Sequence, residues 1–267
     1  MTRLTLDQIR DIQIEILNEL DDFCKENGIT YFLCNGTLLG AVKYQGYIPW
    51  DDDIDVCLLR EDYERLLRLY SARSSERFEL LASHTTDSYF FPFAKLSDRT
   101  TRLVEANLNN GVELGVNIDI FPIDNYGNTE AELKRLFRRF CRLRKHLNWS
   151  KMNRFRSSTV VKTVGKWVLS LPYRLVGSKY YCCRMERLAV KREPTEYVGD
   201  CVWGFYGIGE AHKRAVFSES VPVLFEGREY PAPIGYDAYL HGLYGDYRLD
   251  PPPEKQCTHH SYEAYQK

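Results

Sequence analysis

Long apolar runs are missing from this chain: none of its 267 residues falls in a stretch of 18 uncharged apolar positions, which excludes a membrane-spanning helix. A secretory layout is not read at the opening either. The opening MTRLTLDQIRDIQIEIL carries acids early and lacks the basic-then-apolar layout, so export is not expected. None of the eight cysteines forms a C-x-x-C pair, and several lie in apolar contexts. That usage predicts reduced, mostly buried thiols in a cytosolic protein. Cys257, close to His259 and His260, suggests half a zinc site, but no second half lies nearby in sequence. Internal repeats and low-complexity linkers are absent. Net charge is nearly absent as well, at −1, yet this hides a strong asymmetry. Residues 131–192 hold 18 Lys or Arg against Glu132 and Glu186, a charge of +16; the remainder holds 18 basic and 35 acidic residues, or −17.

What is present is an ordinary globular composition, 44% hydrophobic and 27% charged, in a chain long enough for one large or two small domains. Thr5 and Gln8 predict a capping box. After it, Ile9, Ile12, Ile16, Leu17, Leu20, Phe23 and Cys24 recur at helical spacing until Gly28 stops the helix. An apolar run, Tyr31 to Cys34, ends at a turn at Gly36, and Leu38 to Val42 predicts a brief helix. A Gly-Tyr-Ile-Pro loop leads into a strand from Asp53 to Leu59, and residues 61–70 read as helix. Apolar stretches at 78–82, 89–96 and 101–105 follow, then an alternating strand from Val116 to Pro122. Leu133, Leu136, Phe137, Phe140, Leu143 and Leu147 form a helical stripe within the basic segment. A second apolar stretch, Val160 to Val176, is expected to break at Pro172. This order predicts an α+β fold, a mixed sheet flanked by helices with a basic helical insertion.

The chemistry concentrates in Asp51, Asp52, Asp53 and Asp55, four carboxylates within five positions. On a strand, Asp53 and Asp55 point one way while Ile54 and Val56 enter a core. Like charges held that close call for a cation between them, with Mg²⁺ the natural hard occupant. Backbone N–H groups at Gly36 and Thr37, at the start of a helix, form a place for phosphate. A metal beside a phosphate cradle is equipment for attack at phosphorus. A third carboxylate has to come from elsewhere. Asp119, flanked by Ile118 and Ile120, is the best placed, against a plainer reading in which it caps a turn or pairs with an arginine. Asp124, just past Pro122, reads as a turn residue. A calcium loop starting at Asp51 fails, because the sixth position is Val56 and the twelfth is Asp62. The D-x-D of nucleotide-sugar glycosyltransferases remains a rival that leaves the Gly36-Thr37 turn without a role.

Lys95 is a lone cation in an apolar run and needs an anion, either a ligand phosphate or an aspartate of the cluster; Lys43, between turn and acids, has the same two readings. The basic segment has three: a nucleic-acid surface, a solvated face answering the acidic remainder, or an interfacial helix on anionic lipid. No nucleic-acid module accompanies it, so that partner is not expected. The apolar stripe with Phe137, Phe140 and Trp149 favours the lipid surface.

The segments Gly36-Thr37-Leu38-Leu39-Gly40-Ala41-Val42 and Gly46-Tyr47-Ile48-Pro49-Trp50-Asp51-Asp52-Asp53-Ile54-Asp55 closely resemble the signature of the LicD family. Val116 to Asp124 and Tyr244-Gly245-Asp246-Tyr247, with its following prolines, resemble later blocks of that family. The resemblance implies a nucleotidyltransferase-like core that moves a phospho-alcohol (phosphocholine, glycerol phosphate or ribitol phosphate) from a CDP-linked donor to a cell-surface glycan. It places Gly36 and Thr37 at the donor phosphates, and Asp53, Asp55 and Asp119 at a Mg²⁺ or Mn²⁺ ion. Lys43 and Lys95 are expected beside the substrate. A glycan or lipid-linked glycan acceptor then implies a cytoplasmic enzyme, peripheral on the inner face of the membrane. The expected division is a catalytic core at 1–126, the basic helical segment at 127–195 and an aromatic part at 196–267 completing the core.

Overall fold

The computed structural model describes residues 1–73, 75–105, 111–152, 159–190, 193–258 and 262–267. β1 (Thr2–Arg3) leads into α1 (Leu6–Asn27), which begins with the expected capping box: Gln8 N donates to Thr5 Oγ1 at 3.3 Å and Thr5 N to Gln8 Oε1 at 2.9 Å. Gly28 closes it in the left-handed region, at φ 58°. β2 (Phe32–Leu33), α2 (Asn35–Tyr44), β3 (Asp55–Leu59), α3 (Arg60–Ser71), β4 (Phe78–Leu81), β5 (Ala94–Asp98), β6 (Thr101–Glu105) and β7 (Asn117–Gly127) follow. Three helices come next, α4 (Glu130–Lys151), α5 (Val160–Val176) and α6 (Ser178–Val190). The chain ends through β8 (Tyr197–Gly199), β9 (His212–Lys213), β10 (Ser220–Phe225), β11 (Arg228–Pro233), α7 (Tyr236–Tyr244) and β12 (Tyr262–Gln266).

The fold is α+β. Its central sheet runs β2–β3–β7–β5–β4, with β3 parallel to β7 and the other neighbours along this path antiparallel. The far end of β7 pairs with β8, and β8 with β9. β1, β12 and β6 form a small antiparallel sheet that ties the C-terminal strand to the N-terminus. Ile54, Val56, Leu58, Ile118 and Ile120 are fully buried and share one core with α1, α2, α3 and α7. A second cluster gathers Tyr126, Leu133, Leu136, Phe140, Leu143 and Leu147 with Tyr181 and Met185 of α6.

Four expectations need correction. The strand at the acids starts at Asp55 rather than Asp53, although the burial alternation of Asp53, Ile54, Asp55 and Val56 holds. Pro172 does not break α5. Its missing N–H costs the carbonyl of Val168 a partner, but Val168 is about half exposed and water can serve that carbonyl. The α4 stripe does not face outward: Phe140 is buried, Phe137 is partly buried, and Trp149 packs on Tyr173 of α5 at 5.7 Å. Asp124 is a buried strand residue, gripped at 2.7 and 2.6 Å by Nε and an Nη of Arg60. Cys257 is exposed, and its neighbours His259 and His260 lie outside the described residues.

The Arg60–Asp124 fork joins α3 to β7 with the carboxylate almost wholly out of water. Removing the guanidinium leaves that charge without its bidentate partner. Arg60→Ala should therefore cost about 3 kcal/mol of unfolding free energy, read as a lowered urea midpoint; an unchanged midpoint would contradict this account.

Candidate active site

Parallel pairing of β3 with β7 sets Asp55 directly beside Asp119, and antiparallel pairing of β7 with β5 sets Asp119 beside Lys95. Neighbours in register share a face of the sheet, so acid, acid and base form one row across three strands. Lys95 Nζ donates to Asp119 Oδ1 and, at 3.1 Å, to Asn117 Oδ1. The backbone continues the link, since Asp119 N donates to Ile54 O at 2.9 Å. Asp53, Asp55 and Asp119 all line a single open cleft of about 860 Å³, together with Asp51.

Just before β3, the acidic loop is held by its main chain. Arg10 of α1 donates to the carbonyls of Ile48 and Pro49, at 3.3 and 3.2 Å, and also to that of Asp51. Gln13 Nε2 and Tyr262 Oη donate to the Asp52 carbonyl at 3.0 and 2.9 Å. With carbonyls tied back to α1 and β12, the side chains of Asp51 and Asp53 are turned into the cleft. Asp52 is buried and lies outside the cleft lining.

The first turn of α2 forms the adjoining wall through Asn35, Gly36 and Leu39. A Cβ on Gly36 would sit 2.5 Å from Asp51 Oδ2, and one on Gly40 would sit 2.4 Å from the carbonyl of Gly46. Both glycines let the helix and the acidic loop approach closely. Thr37 is buried and outside the lining; its Oγ1 accepts the Asp55 N–H at 2.8 Å. Its side chain therefore fixes the start of β3 rather than facing a ligand, leaving the first-turn backbone as the candidate phosphate cradle. Lys43 lies on the rim and pairs with Asp250 at 2.6 Å. Lys95 takes the second of its two readings, partner to an aspartate, and stands behind Asp119 outside the lining.

The opposite wall is aromatic, with Trp203, Phe205, Tyr206 and Tyr244, and carries two further acids, Asp200 and Glu210. Asp200 Oδ1 accepts the N–H groups of Val202 and Trp203, at 3.0 and 2.8 Å. Glu210 Oε1 accepts those of Phe205 and Tyr206, at 2.8 and 3.0 Å. Arg144 of α4 clamps the same loop from outside by donating to the carbonyls of Trp203 and Gly204, with its guanidinium 4.1 Å from the Phe205 ring centre. Sequence reasoning missed Arg10, Gln13, Asn35, Asp200 and Glu210. A signal existed only for Asn35, which begins α2 at a positive φ of 47°, a conformation asparagine tolerates.

Electrostatics make the cleft hungry for a cation. The Asp55 carboxyl is pushed well above its usual range by burial first, then by Asp53, Asp119 and Asp51, while the Asn35 amide opposes the shift. Asp51, Asp52 and Asp53 each offer an oxygen within 4.8 Å of the others. This set differs from the expected Asp53, Asp55 and Asp119. Asp52 is buried and does not line the cleft, so the acids on its surface are Asp51, Asp53, Asp55 and Asp119. An all-oxygen donor set suits a hard divalent ion such as Mg²⁺ or Mn²⁺, and the residues present fit one.

Comparison with known proteins bears on the family. A family model described as LicD/FKTN/FKRP, nucleotidyltransferase domain, matches residues 28–160. Over 271 aligned residues, spanning 99% of each chain, the protein is 30% identical to the lipopolysaccharide cholinephosphotransferase LicD of Haemophilus influenzae. The chain belongs to the LicD family. It is accordingly a phosphotransferase of the LicD type. An uncharacterised protein of Rickettsia typhi is 42% identical over 127 residues, 44% of this chain and 40% of its own. Another, from Rickettsia prowazekii, is 42% identical over 48 residues, 18% of each. The LicD domain match contains α2, the acidic loop, β3 and β7, and ends at the first residue of α5.

Burial, followed by the charge of Asp200, raises the Glu210 carboxyl from 4.5 to about 7, and burial raises Asp200 to about 6. A folded-state pKa above the unfolded one means that folding takes up a proton, so stability falls as pH rises from about 4.5 towards 7. Glu210→Gln keeps an acceptor for both N–H groups and removes that fall. Its urea midpoint should vary less between pH 5 and 8 than that of the parent and exceed it at pH 8; an unchanged slope would refute the assignment. Gly36→Ala tests the close approach at Asp51. The variant should fold but bind Mg²⁺ more weakly in calorimetric titration, and parental affinity would contradict it.

Proposed function

We propose that this protein transfers a phospho-alcohol from a CDP-linked donor to a hydroxyl of a cell-surface glycan and releases CMP. The observation that carries this reading is the convergence of Asp51, Asp53, Asp55 and Asp119 beside the first turn of α2 in one cleft. Asp53 and Asp55 would hold the divalent ion. When bound, such an ion neutralises the donor diphosphate as charge builds on the leaving CMP. The first-turn N–H groups of α2, Gly36 foremost, orient the phosphates at the positive end of the helix. Lys43 at the rim exchanges Asp250 for a donor oxygen. Lys95 occupies Oδ1 of Asp119, so Oδ2 is the oxygen that takes the proton of the acceptor hydroxyl. That hydroxyl oxygen forms the new bond to phosphorus, the bond to the CMP oxygen breaks, and the electron pair leaves with CMP.

Phosphocholine is the group proposed for transfer. The relative whose name is cholinephosphotransferase supports it, as does an aromatic wall with Asp200 and Glu210 close by, the lining a quaternary ammonium favours. Trp203, Phe205 and Tyr206 line the cleft, whereas the nearby Tyr236 and Tyr239 do not, and Tyr239 is buried. A lipopolysaccharide-type glycan, free or lipid-linked, is the proposed acceptor, met by a cytoplasmic enzyme peripheral to the inner membrane face. Among the described residues no helix is long and apolar enough to cross a membrane.

The test is CMP release with Mg²⁺ and CDP-choline, CDP-glycerol or CDP-ribitol, with and without a glycan acceptor. Acceptor-dependent CMP from CDP-choline is expected. It should fall roughly 10²–10³-fold in Asp53→Asn, Asp55→Asn and Asp119→Asn, vanish with EDTA and return with Mg²⁺. Release of UDP from a UDP-sugar, with no CMP from any of the three donors, would favour a glycosyltransferase instead.

A further inference from the structure

α5 is turned inside out. Val161, Val164, Val168, Leu169, Leu175 and Val176 are 49–88% exposed, and their spacing gathers them on one side of the helix with Gly165 and Pro172. The opposite side meets the protein through small or polar contacts. Ser170 is buried there, and Tyr173 packs on His146 and Trp149 of α4 at 4.8 and 5.7 Å. An exposed apolar face of this extent marks an interaction surface.

Charge says what covers it. Lys162 and Lys166 flank the stripe on one side, and Arg174 lies on the other near the half-exposed Trp167. Arg135, Arg139 and Arg142 follow the α4 stripe that continues to His146, the residue touching α5. Residues 133–185 contain 15 Lys or Arg and no Asp or Glu. A second copy of this helix would bring like charge against like charge, and a nucleic acid would leave the apolar stripe wet. An anionic bilayer meets both demands. A helix of 17 residues is about 26 Å long, and among the described residues none qualifies as a span; such a helix lies along the interface.

We propose that α5 docks the enzyme on an anionic lipid surface, with the Val–Leu side among the acyl chains and its lysines and arginines at the headgroups. The proposal rests on the peripheral placement given above and names the surface responsible. It also connects to the cleft. α4 carries α5, and Arg144 of α4 holds the Trp203–Gly204 wall.

Flotation of the full chain with vesicles of phosphatidylcholine, alone or mixed with phosphatidylglycerol, tests it. The wild type should float only with phosphatidylglycerol present, and less as salt rises. The triple variant Val164→Asp/Val168→Asp/Leu175→Asp, checked for folding by circular dichroism, should remain at the bottom. Lys162→Ser/Lys166→Ser keeps the apolar face and should bind roughly 10-fold or more weakly. A wild type that floats alongside equally buoyant variants overturns the role of α5 and leaves the peripheral placement standing. A wild type that does not float overturns both. Variants that convert a self-associated protein to monomer without changing flotation overturn the lipid as occupant.

Discussion

Two carboxylates, Asp55 and Asp119, are held side by side on adjacent parallel strands, and the surrounding structure is arranged to keep them there. Their repulsion is answered from behind by Lys95, which bonds Asp119, and from the side by the Asn35 amide, which favours the ionised form of Asp55. Neither group closes the front. With Lys95 behind Asp119, the side on which a cation could be held is the cleft. Burial first, and then Asp53, Asp119 and Asp51, hold the Asp55 carboxyl above its usual range, a shift that a divalent ion held there would oppose.

Placing Asp51 and Asp53 in front of that pair falls to the backbone. Arg10, Gln13 and Tyr262 all bind main-chain carbonyls of the acidic loop. Those bonds fix the loop by its main chain along the cleft that Asp51 and Asp53 line. Gly36 and Gly40 then let α2 approach a loop that any larger residue would push away. Positioning of this kind matters in phosphoryl transfer, where orientation and electrostatics do most of the work.

Local rules were readable in the sequence. The Thr5 box, the Gly28 stop, the alternation around Ile54 and the stripe of α4 each depend on residues a few positions apart, and each corresponds to a feature of the fold. Asp119 was legible because an acid between two isoleucines on a strand needs a reason. What the sequence withheld concerns partners. An apolar stripe is the same whether it meets a core or a lipid, so the sequence does not separate the inward stripe of α4 from the exposed face of α5, and Pro172 makes the latter read as broken. Asp124 looked like a turn residue because its partner, Arg60, lies 64 positions away. Asp200 and Glu210 reach the cleft only through β8 pairing and the loop that follows it, and no periodicity reports that.

The near-zero net charge conceals a separation of charge along the chain. The catalytic body is acidic, −17 outside residues 131–192, and the helical segment is basic, +16. At physiological ionic strength charges are screened within about 8 Å, so an approaching surface feels the nearest face of the molecule rather than its total. An anionic bilayer, the surface proposed for α5, would therefore be drawn to the basic segment and repelled by the acidic remainder. On the lipid surface proposed for α5, segregating the two charges along one chain would orient the protein by charge alone, with the basic segment rather than the acidic remainder at the headgroups.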